Sequence, residues 1–301
     1  MRVFVTGATG FVGFAVVEEL IGAGHQVLGL TRSEAGAQSL IATGAQAHRG
    51  SLEDLESLRS GASMADGVIH CAFNHDFSNF GANCELDKQA IESLGSVLEG
   101  SDRPFVVTSG IGALAPGRAA TEEDMPASSS SSYPRVSEQT AIALSRRGIR
   151  ASVVRLPQVH DPEKQGFVTY LIGVAREKGV SAFIGEGRNR WAAVHRIDTA
   201  RLYRFAIEKA ASDPNSIGAR YHAVAEEGVL VRDIAEAIGR GLKVPVVSKP
   251  QEEAGQHFGF LGNFVGLDMP ASGALTQERL GWHPTGPGLI SDLEAMRYFE
   301  V

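Results

Sequence analysis

Thr6-Gly7-Ala8-Thr9-Gly10-Phe11-Val12-Gly13 follows directly on the apolar run Val3-Phe4-Val5 and leads straight into a helical pattern. Glycines at i, i+3 and i+6 say little as spacing alone, because the chain holds 35 glycines in 301 residues. Average proteins carry about 7% glycine. The position of these three is what constrains the fold. Between a strand and a helix, the first glycine makes the tight turn, the second leaves room for a pyrophosphate, and the third lets helix and strand pack closely. The unpaired N–H groups that open the helix then face the phosphates. Gly7, Thr9, Gly10, Phe11, Val12 and Gly13 are therefore expected to line a dinucleotide site. A tight turn without a ligand is the alternative.

The first half of the chain repeats the same alternation, the signature of βαβ units on a parallel sheet. Strands are expected at 3–6, 27–30, 45–48, 67–71, 105–109 and 149–156. Helices are expected at 11–23, 33–43, 52–59 and 83–98, with another beginning near Pro134. The glycine- and serine-rich stretch 117–132 reads as a mobile loop. Beyond Pro157 the rhythm loosens: helices are predicted at 167–178, 199–210, 231–239 and 289–299, and short strands at 220–223 and 244–247. The pattern predicts a doubly wound parallel α/β sheet with helices on both faces and a small interleaved C-terminal lobe. Residues 1–160 would form the nucleotide-binding core, and 161–301 would complete the sheet and build the substrate lobe.

The end of the second strand discriminates between cofactors. An NAD site places Asp or Glu there to bind the ribose hydroxyls. Here the strand ends Leu30-Thr31-Arg32-Ser33, with no carboxylate, a guanidinium suited to bidentate phosphate recognition, and flanking hydroxyls. NADP(H) is expected over NAD(H); an ordinary solvated Arg32 is the alternative. The net charge of −7 disfavours nucleic acid and anionic membranes as partners. Two cysteines, Cys71 and Cys84, support neither a disulfide framework nor a four-ligand zinc site. No stretch approaches the roughly 18 apolar residues of a spanning helix, and no secretory signal is visible. A cytoplasmic protein acting on a small molecule, with no bound metal, is the expectation.

Val-Thr-Gly-Ala-Thr-Gly-Phe-Val-Gly at positions 5–13 resembles the opening of the extended short-chain dehydrogenase/reductases, the NAD-dependent epimerase/dehydratase family. The likeness continues downstream. Gly50-Ser51-Leu52 resembles the adenine-contacting Gly-Asp-Leu with Ser51 in place of Asp, and Val68-Ile69-His70-Cys71-Ala72 is similar to the strand-four motif, which Phe73 follows. Asn83 falls at the family's helix asparagine. Arg155-Leu156-Pro157-Gln158-Val159 resembles the segment near the nicotinamide. Val194-His195-Arg196-Ile197-Asp198 and Leu280-Gly281-Trp282-His283-Pro284 resemble two signatures of the second half. The resemblance implies cofactor contacts from Thr31, Arg32, Ser33, Ser51, Leu52, Cys71, Ala72, Phe73, Thr108, Pro157 and Val159. It also allows a homodimer through the helices at 83–98 and 134–147.

The catalytic set departs from the family. Its members use a Ser or Thr after the fifth strand, and a Tyr with a Lys four residues later that holds the nicotinamide ribose and lowers the Tyr pKa. Here Tyr133 is followed by Ser137, and Gly110 stands at the hydroxyl position with Ser109 one residue early. Tyr133 and Ser109 are the catalytic candidates; a packing role for Tyr133 stays open, since Pro134 would make it an N-cap-like residue. A neutral Tyr serves reduction, whereas oxidation needs it as a base. Activity is therefore expected to lean toward reduction of a carbonyl. His70 reads as a core histidine, and His75, Arg190 and Trp191 as weaker substrate candidates. Phe258, Phe260 and Phe264, with Trp191, form either lobe core or an apolar cleft wall. An NADP(H)-dependent reductase of a small apolar or aromatic carbonyl compound is the first reading. A non-catalytic NADP(H)-binding sensor or partner subunit is the second, and a sugar-nucleotide epimerase or dehydratase the third.

Overall fold

A computed structural model describes residues 1–112, 114–126, 134–164, 166–295 and 299. Seven parallel strands form the central sheet: β1 (Arg2–Thr6), β2 (Gln26–Thr31), β3 (Gln46–Arg49), β4 (Gly67–His70), β5 (Pro104–Gly110), β6 (Arg150–Leu156) and β10 (Arg220–His222). Their spatial order is β10-β6-β5-β4-β1-β2-β3. The chain winds outward from β1 to β3 and then returns to β4 on the other side of β1. That reversal opens a crevice beyond the carboxyl ends of β1 and β4, where open α/β sheets bind ligands.

Helices cover both faces. On one, α1 (Phe11–Gly22) packs with α7 (Arg196–Ser212), and Val3, Val5, Leu20, Ile69, Val106 and Tyr203 form a dry core. On the other lie α3 (Leu55–Ser63), α4 (Phe80–Leu98) and α5 (Ser137–Arg146), with Phe4, Leu58, Leu94, Phe105 and Leu144 buried among them. α2 (Glu34–Ala42) flanks β3. Alternation along each strand thus splits successive side chains between two cores, as a sheet covered on both faces requires.

The second half adds two small sheets. β7 (Gln158–His160), β9 (Arg190–His195) and β11 (Glu226–Leu230) form one, and β8 (Ser181–Ile184) with β12 (Val246–Lys249) forms the other. Around them pack α6 (Gly166–Lys178), α8 (Val231–Leu242), α9 (Ala254–Phe258) and α11 (Leu289–Glu294), while α10 (Ala274–Leu280) lies against β10 and α7 of the central sheet. Val168, Trp191, Ile234, Phe258 and Leu261 lie in this lobe's core. No helix among the described residues is long and apolar enough to cross a membrane.

Several expectations need correction. β7, β8, β9 and β11 carry no clear period in the sequence because their burial comes from lobe packing across distant segments. The helix expected near Pro134 begins at Ser137, after Val136 at the N-cap with φ −128° and ψ 20°. α3 begins three residues later than expected, where the Asp54 carboxylate accepts the Ser57 N–H at 3.1 Å and caps the first turn. Of the loop expected at 117–132, residues 127–132 lie outside the described set, and the described part is anchored. The buried Glu122 carboxylate accepts both the N–H and the hydroxyl of Thr276, at 2.7 and 2.6 Å.

Candidate active site

The crevice is built first from backbone. Thr6 Oγ1 ends β1, lies 2.8 Å from His70 Nδ1 and accepts the Ala72 N–H at 3.3 Å, clamping the glycine loop to the end of β4. Gly7 turns at φ +66°, and a Cβ there would lie 2.8 Å from the Ala72 nitrogen. A Cβ on Gly13 would lie 2.1 Å from the Gly7 carbonyl oxygen, so helix and loop meet backbone to backbone. Gly10 donates its N–H to Gly7 O at 2.8 Å and then caps α1 without a side chain. The first-turn N–H groups of Phe11, Val12 and Gly13 are therefore left to whatever occupies the crevice. From the lobe, Arg196 and Lys164 stand 5.1 and 5.7 Å over the Phe11 ring. Arg196 Nε is buried without a hydrogen-bond partner among the described residues. An anion at this helix end would meet free N–H groups, the Lys164 ammonium and the unpartnered Nε of Arg196, whose Nη1 is already paired with Asp161 at 2.8 Å, a setting that fits a pyrophosphate.

The end of β2 continues the crevice. Thr31 is buried, Arg32 is exposed, and the Ser33 hydroxyl accepts the Gly36 N–H at 3.0 Å as the cap of α2. Ser33 thus has a structural duty beyond the phosphate role expected of it. A Cβ on Gly36 would lie 2.3 Å from Thr31 Oγ1 and 3.1 Å from Thr9 Cγ2, so Gly36 keeps the adjoining surfaces together. Gly50 N donates to Thr31 O at 3.2 Å and brings Ser51 and Leu52 alongside. There the Ser51 hydroxyl, helped by the nearby Arg32 charge, holds the Glu53 carboxyl below its ordinary range.

At the opposite side a polar chain runs through the sheet edge. His70, fully buried in β4, lies 3.1 Å from Asp87 Oδ1 on α4. Asp87 Oδ2 accepts the Ser137 hydroxyl at 2.5 Å, and Ser137 Oγ accepts Arg135 Nε–H at 2.9 Å. Burial alone would raise Asp87, but hydrogen bonding from His70, the charges around it and the Ser137 hydroxyl hold its pKa below the ordinary value. On the other face of β5, Thr108 Oγ1 lies 2.6 Å from both the His70 carbonyl and the Tyr203 hydroxyl on α7. Loss of water around Cys71 pushes its thiol up to about 12, so it stays a neutral thiol.

By alternation Ser109 points opposite to Thr108, toward the α5 side, and it pairs in register with Arg155. Arg155 is fully buried and held by Glu138 through Nε at 2.8 Å and Nη2 at 2.5 Å, which makes it a structural residue of β6. A Cβ on Gly110 would meet only Leu156 O, at 4.0 Å, so packing does not demand glycine there. Pro157 and Val159 lie just past the end of β6, with Val159 in the core. Tyr133 lies outside the described residues.

Comparison with known proteins places this geometry. The model of the NAD dependent epimerase/dehydratase family matches residues 3–218. The chain belongs to that family. It is 47% identical over 303 residues to an uncharacterised Schizosaccharomyces pombe protein, covering 99% of this chain and all of that one. It is 32% identical over 231 residues to a decarboxylating sterol-4-alpha-carboxylate 3-dehydrogenase of Dictyostelium discoideum, covering 69% and 68% of the two chains. Among solved structures, the NAD-bound dTDP-glucose 4,6-dehydratase of Streptomyces venezuelae shares the fold with a TM-score of 0.77 at 17% identity, over 99% and 96% of the chains. The family and its relatives are nicotinamide-dependent oxidoreductases and dehydratases.

Its second-half signatures hold the lobe to the sheet. The Asp198 carboxylate accepts the N–H groups of Thr285 and Gly286 at 3.0 and 2.7 Å, and its carbonyl accepts Trp282 Nε1–H at 2.9 Å. His195 caps α7. Two substrate candidates are committed to other partners. Trp191 is 1% exposed in the lobe core, where its indole donates to Leu267 O, and Arg190 is committed to Asp268 at 2.8 and 3.1 Å. Phe258 is likewise core.

The aromatic wall takes Phe260 from the lobe phenylalanines expected as core or wall, and adds Phe77, Phe80, Phe167 and Tyr170. Phe77 stacks on Phe260 at 4.5 Å and 11°, with Phe80, Phe167 and Tyr170 edge-on or tilted around it. The loop after β4 thereby meets the lobe. His75 packs against Phe73 at 5.3 Å, and desolvation, followed by the Arg135 charge, lowers its pKa. Phe260 was named from the sequence as core or wall; its partner Phe77, in the loop after β4, was not.

Proposed function

We propose that the protein is an NADP(H)-dependent oxidoreductase that reduces the carbonyl of a small apolar or aromatic compound. The observation that carries this reading is the meeting of a backbone phosphate cradle and an aromatic wall at one edge of the sheet. The absence of a carboxylate at Thr31, Arg32 and Ser33 supports NADP(H), because an exposed guanidinium there is free to take a 2′-phosphate. The aromatic wall suits a flat apolar substrate, and the Dictyostelium relative is named for a sterol carboxylate.

The bound cofactor would supply hydride. The chain's own residues do the rest. The first-turn N–H groups of α1, with Arg196 and Lys164, hold the pyrophosphate. Phe77 and Phe260, stacked on one another, wall the substrate ring and exclude water. Ser109 donates a hydrogen bond to the carbonyl oxygen, and the Tyr133 phenol gives up the proton.

NADPH consumption across a panel of aromatic aldehydes and ketones tests the reading, with Arg32→Gln and Tyr133→Phe alongside. Arg32→Gln should raise the NADPH KM by roughly ten- to a hundredfold, the worth of a charged hydrogen-bond pair, and leave NADH unaffected. Undiminished turnover by Tyr133→Phe, or rapid alcohol oxidation at neutral pH, would overturn the proposed chemistry. One observation favours a second reading, a non-catalytic NADP(H)-binding protein: Ser137 stands at the family's lysine position with its hydroxyl given to Asp87. Tight NADPH binding with no turnover on any carbonyl would select it.

A further inference from the structure

Position 137 is neutral, but its surroundings are not. The Arg135 guanidinium reaches the Ser137 hydroxyl through Nε at 2.9 Å, and its Nη2 lies 3.5 Å from the Thr108 carbonyl. Its plane of charge stands 4.3 Å from the centre of the Phe73 ring. Phe73 follows Ala72, the residue against which Gly7 packs. Among the described residues Nη1 has no hydrogen-bond partner. A guanidinium stays charged at any physiological pH, and stacking on an aromatic face fixes its direction.

The placement follows from the order of sites along the sheet edge. With the adenosine end at β2 and the pyrophosphate at the start of α1, the other half of a dinucleotide crosses the ends of β4 and β5. Phe73 and Thr108, two of the contacts of Arg135, lie at those ends. The helix that would carry a lysine four residues after Tyr133 carries Ser137. That hydroxyl is pinned by Asp87, and Asp87 by His70, whose ring bonds Thr6 of the glycine loop. The chain Thr6–His70–Asp87–Ser137 therefore ties the cradle to Arg135.

We propose that Arg135 is the cation that holds the nicotinamide-side ribose, delivered from two residues before the family's lysine position, with Ser137 and Asp87 as its positioning residues. The proposal rests on the reading that the chain binds NADP(H). The test measures dissociation constants of NADPH and of adenosine 2′,5′-bisphosphate, which lacks the nicotinamide riboside and its phosphate, by fluorescence titration and calorimetry. Thermal melting of each variant controls for folding. Arg135→Gln should weaken NADPH about tenfold and leave the bisphosphate within about twofold, since only one ligand reaches this end. Arg135→Lys should restore NADPH to within about threefold. Ser137→Ala should cost about threefold for NADPH alone, because the cation is then less well aimed.

Unchanged NADPH affinity in Arg135→Gln, or equal loss of both ligands, overturns the proposal while the cofactor reading stands. Wild-type protein that binds neither NADPH nor NADH overturns the cofactor reading and the proposal together. Should it bind NADH and ADP but not the phosphorylated pair, the NADP(H) preference falls, and the Arg135 comparison is decided on NADH against ADP.

Discussion

The two ends of the crevice are held by different means. At the glycine loop, backbone packs on backbone: the Cβ positions of Gly7 and Gly13 are filled by Ala72 and by Gly7 itself. No other residue type satisfies that geometry, so the local sequence is forced. Where β5 meets α5 the constraint is looser. Gly110 has room for a side chain, and Ser137 fills a lysine position by joining a hydrogen-bonded chain. Steric closure fixes residue identity, whereas a polar network fixes only where charge and hydrogen bonds fall.

Breaking the network should have the largest effect. Asp87→Ala takes one hydrogen-bond partner from each of the buried His70 and Ser137, at about 1–3 kcal/mol for each group left unsatisfied. Denaturant unfolding of the variant should show that loss; a change under about 1 kcal/mol would mean the chain carries no weight. The same carboxyl sets an acid limit. Its folded pKa lies below the ordinary value, so its contribution is complete above pH about 4 and is lost as pH falls through the folded value. Asp87→Asn should flatten that acid slope, and an unaltered slope would assign it to other groups.

Gly13→Ala tests the cradle. The added Cβ must displace the Gly7 carbonyl, at a cost of about 1–3 kcal/mol, with a roughly tenfold or greater loss of NADPH affinity. Titration of a folded variant with unimpaired binding would show the loop is not the phosphate site. The smallest effect is expected at the aromatic wall. Phe260→Ala removes a stacked pair worth about 0.5–1.5 kcal/mol, so KM for aromatic carbonyls should rise at most about tenfold while kcat holds. Equal changes for aliphatic and aromatic substrates would place the substrate elsewhere.

How legible each part was follows from the range of its interactions. β1, the glycine loop and α1 depend on neighbours within a dozen residues, and strand and helix fall close to where periodicity puts them. The departures at Gly110 and Ser137 were legible as departures, because the surrounding motif was intact. What replaces them was not. Arg135 looks like an ordinary surface arginine until β4, β5 and α5 bring Phe73, Thr108 and Ser137 to it. Pro134 misled the helix boundary, since residues 134–136 stay outside α5. Trp191 misled the substrate reading: a large aromatic near the expected pocket proved to be lobe core, while the wall came from Phe77 and Phe260 across two lobes.

The sequence by itself determined the sheet, its order of strands and helices, and the backbone cradle, because these rest on local periodicity and on glycine's lack of a Cβ. Only the tertiary structure decided which charge stands beside the cradle and which rings face the crevice. Those arrangements join residues dozens to hundreds of positions apart, and a side chain's partner at that range is set by how whole elements pack.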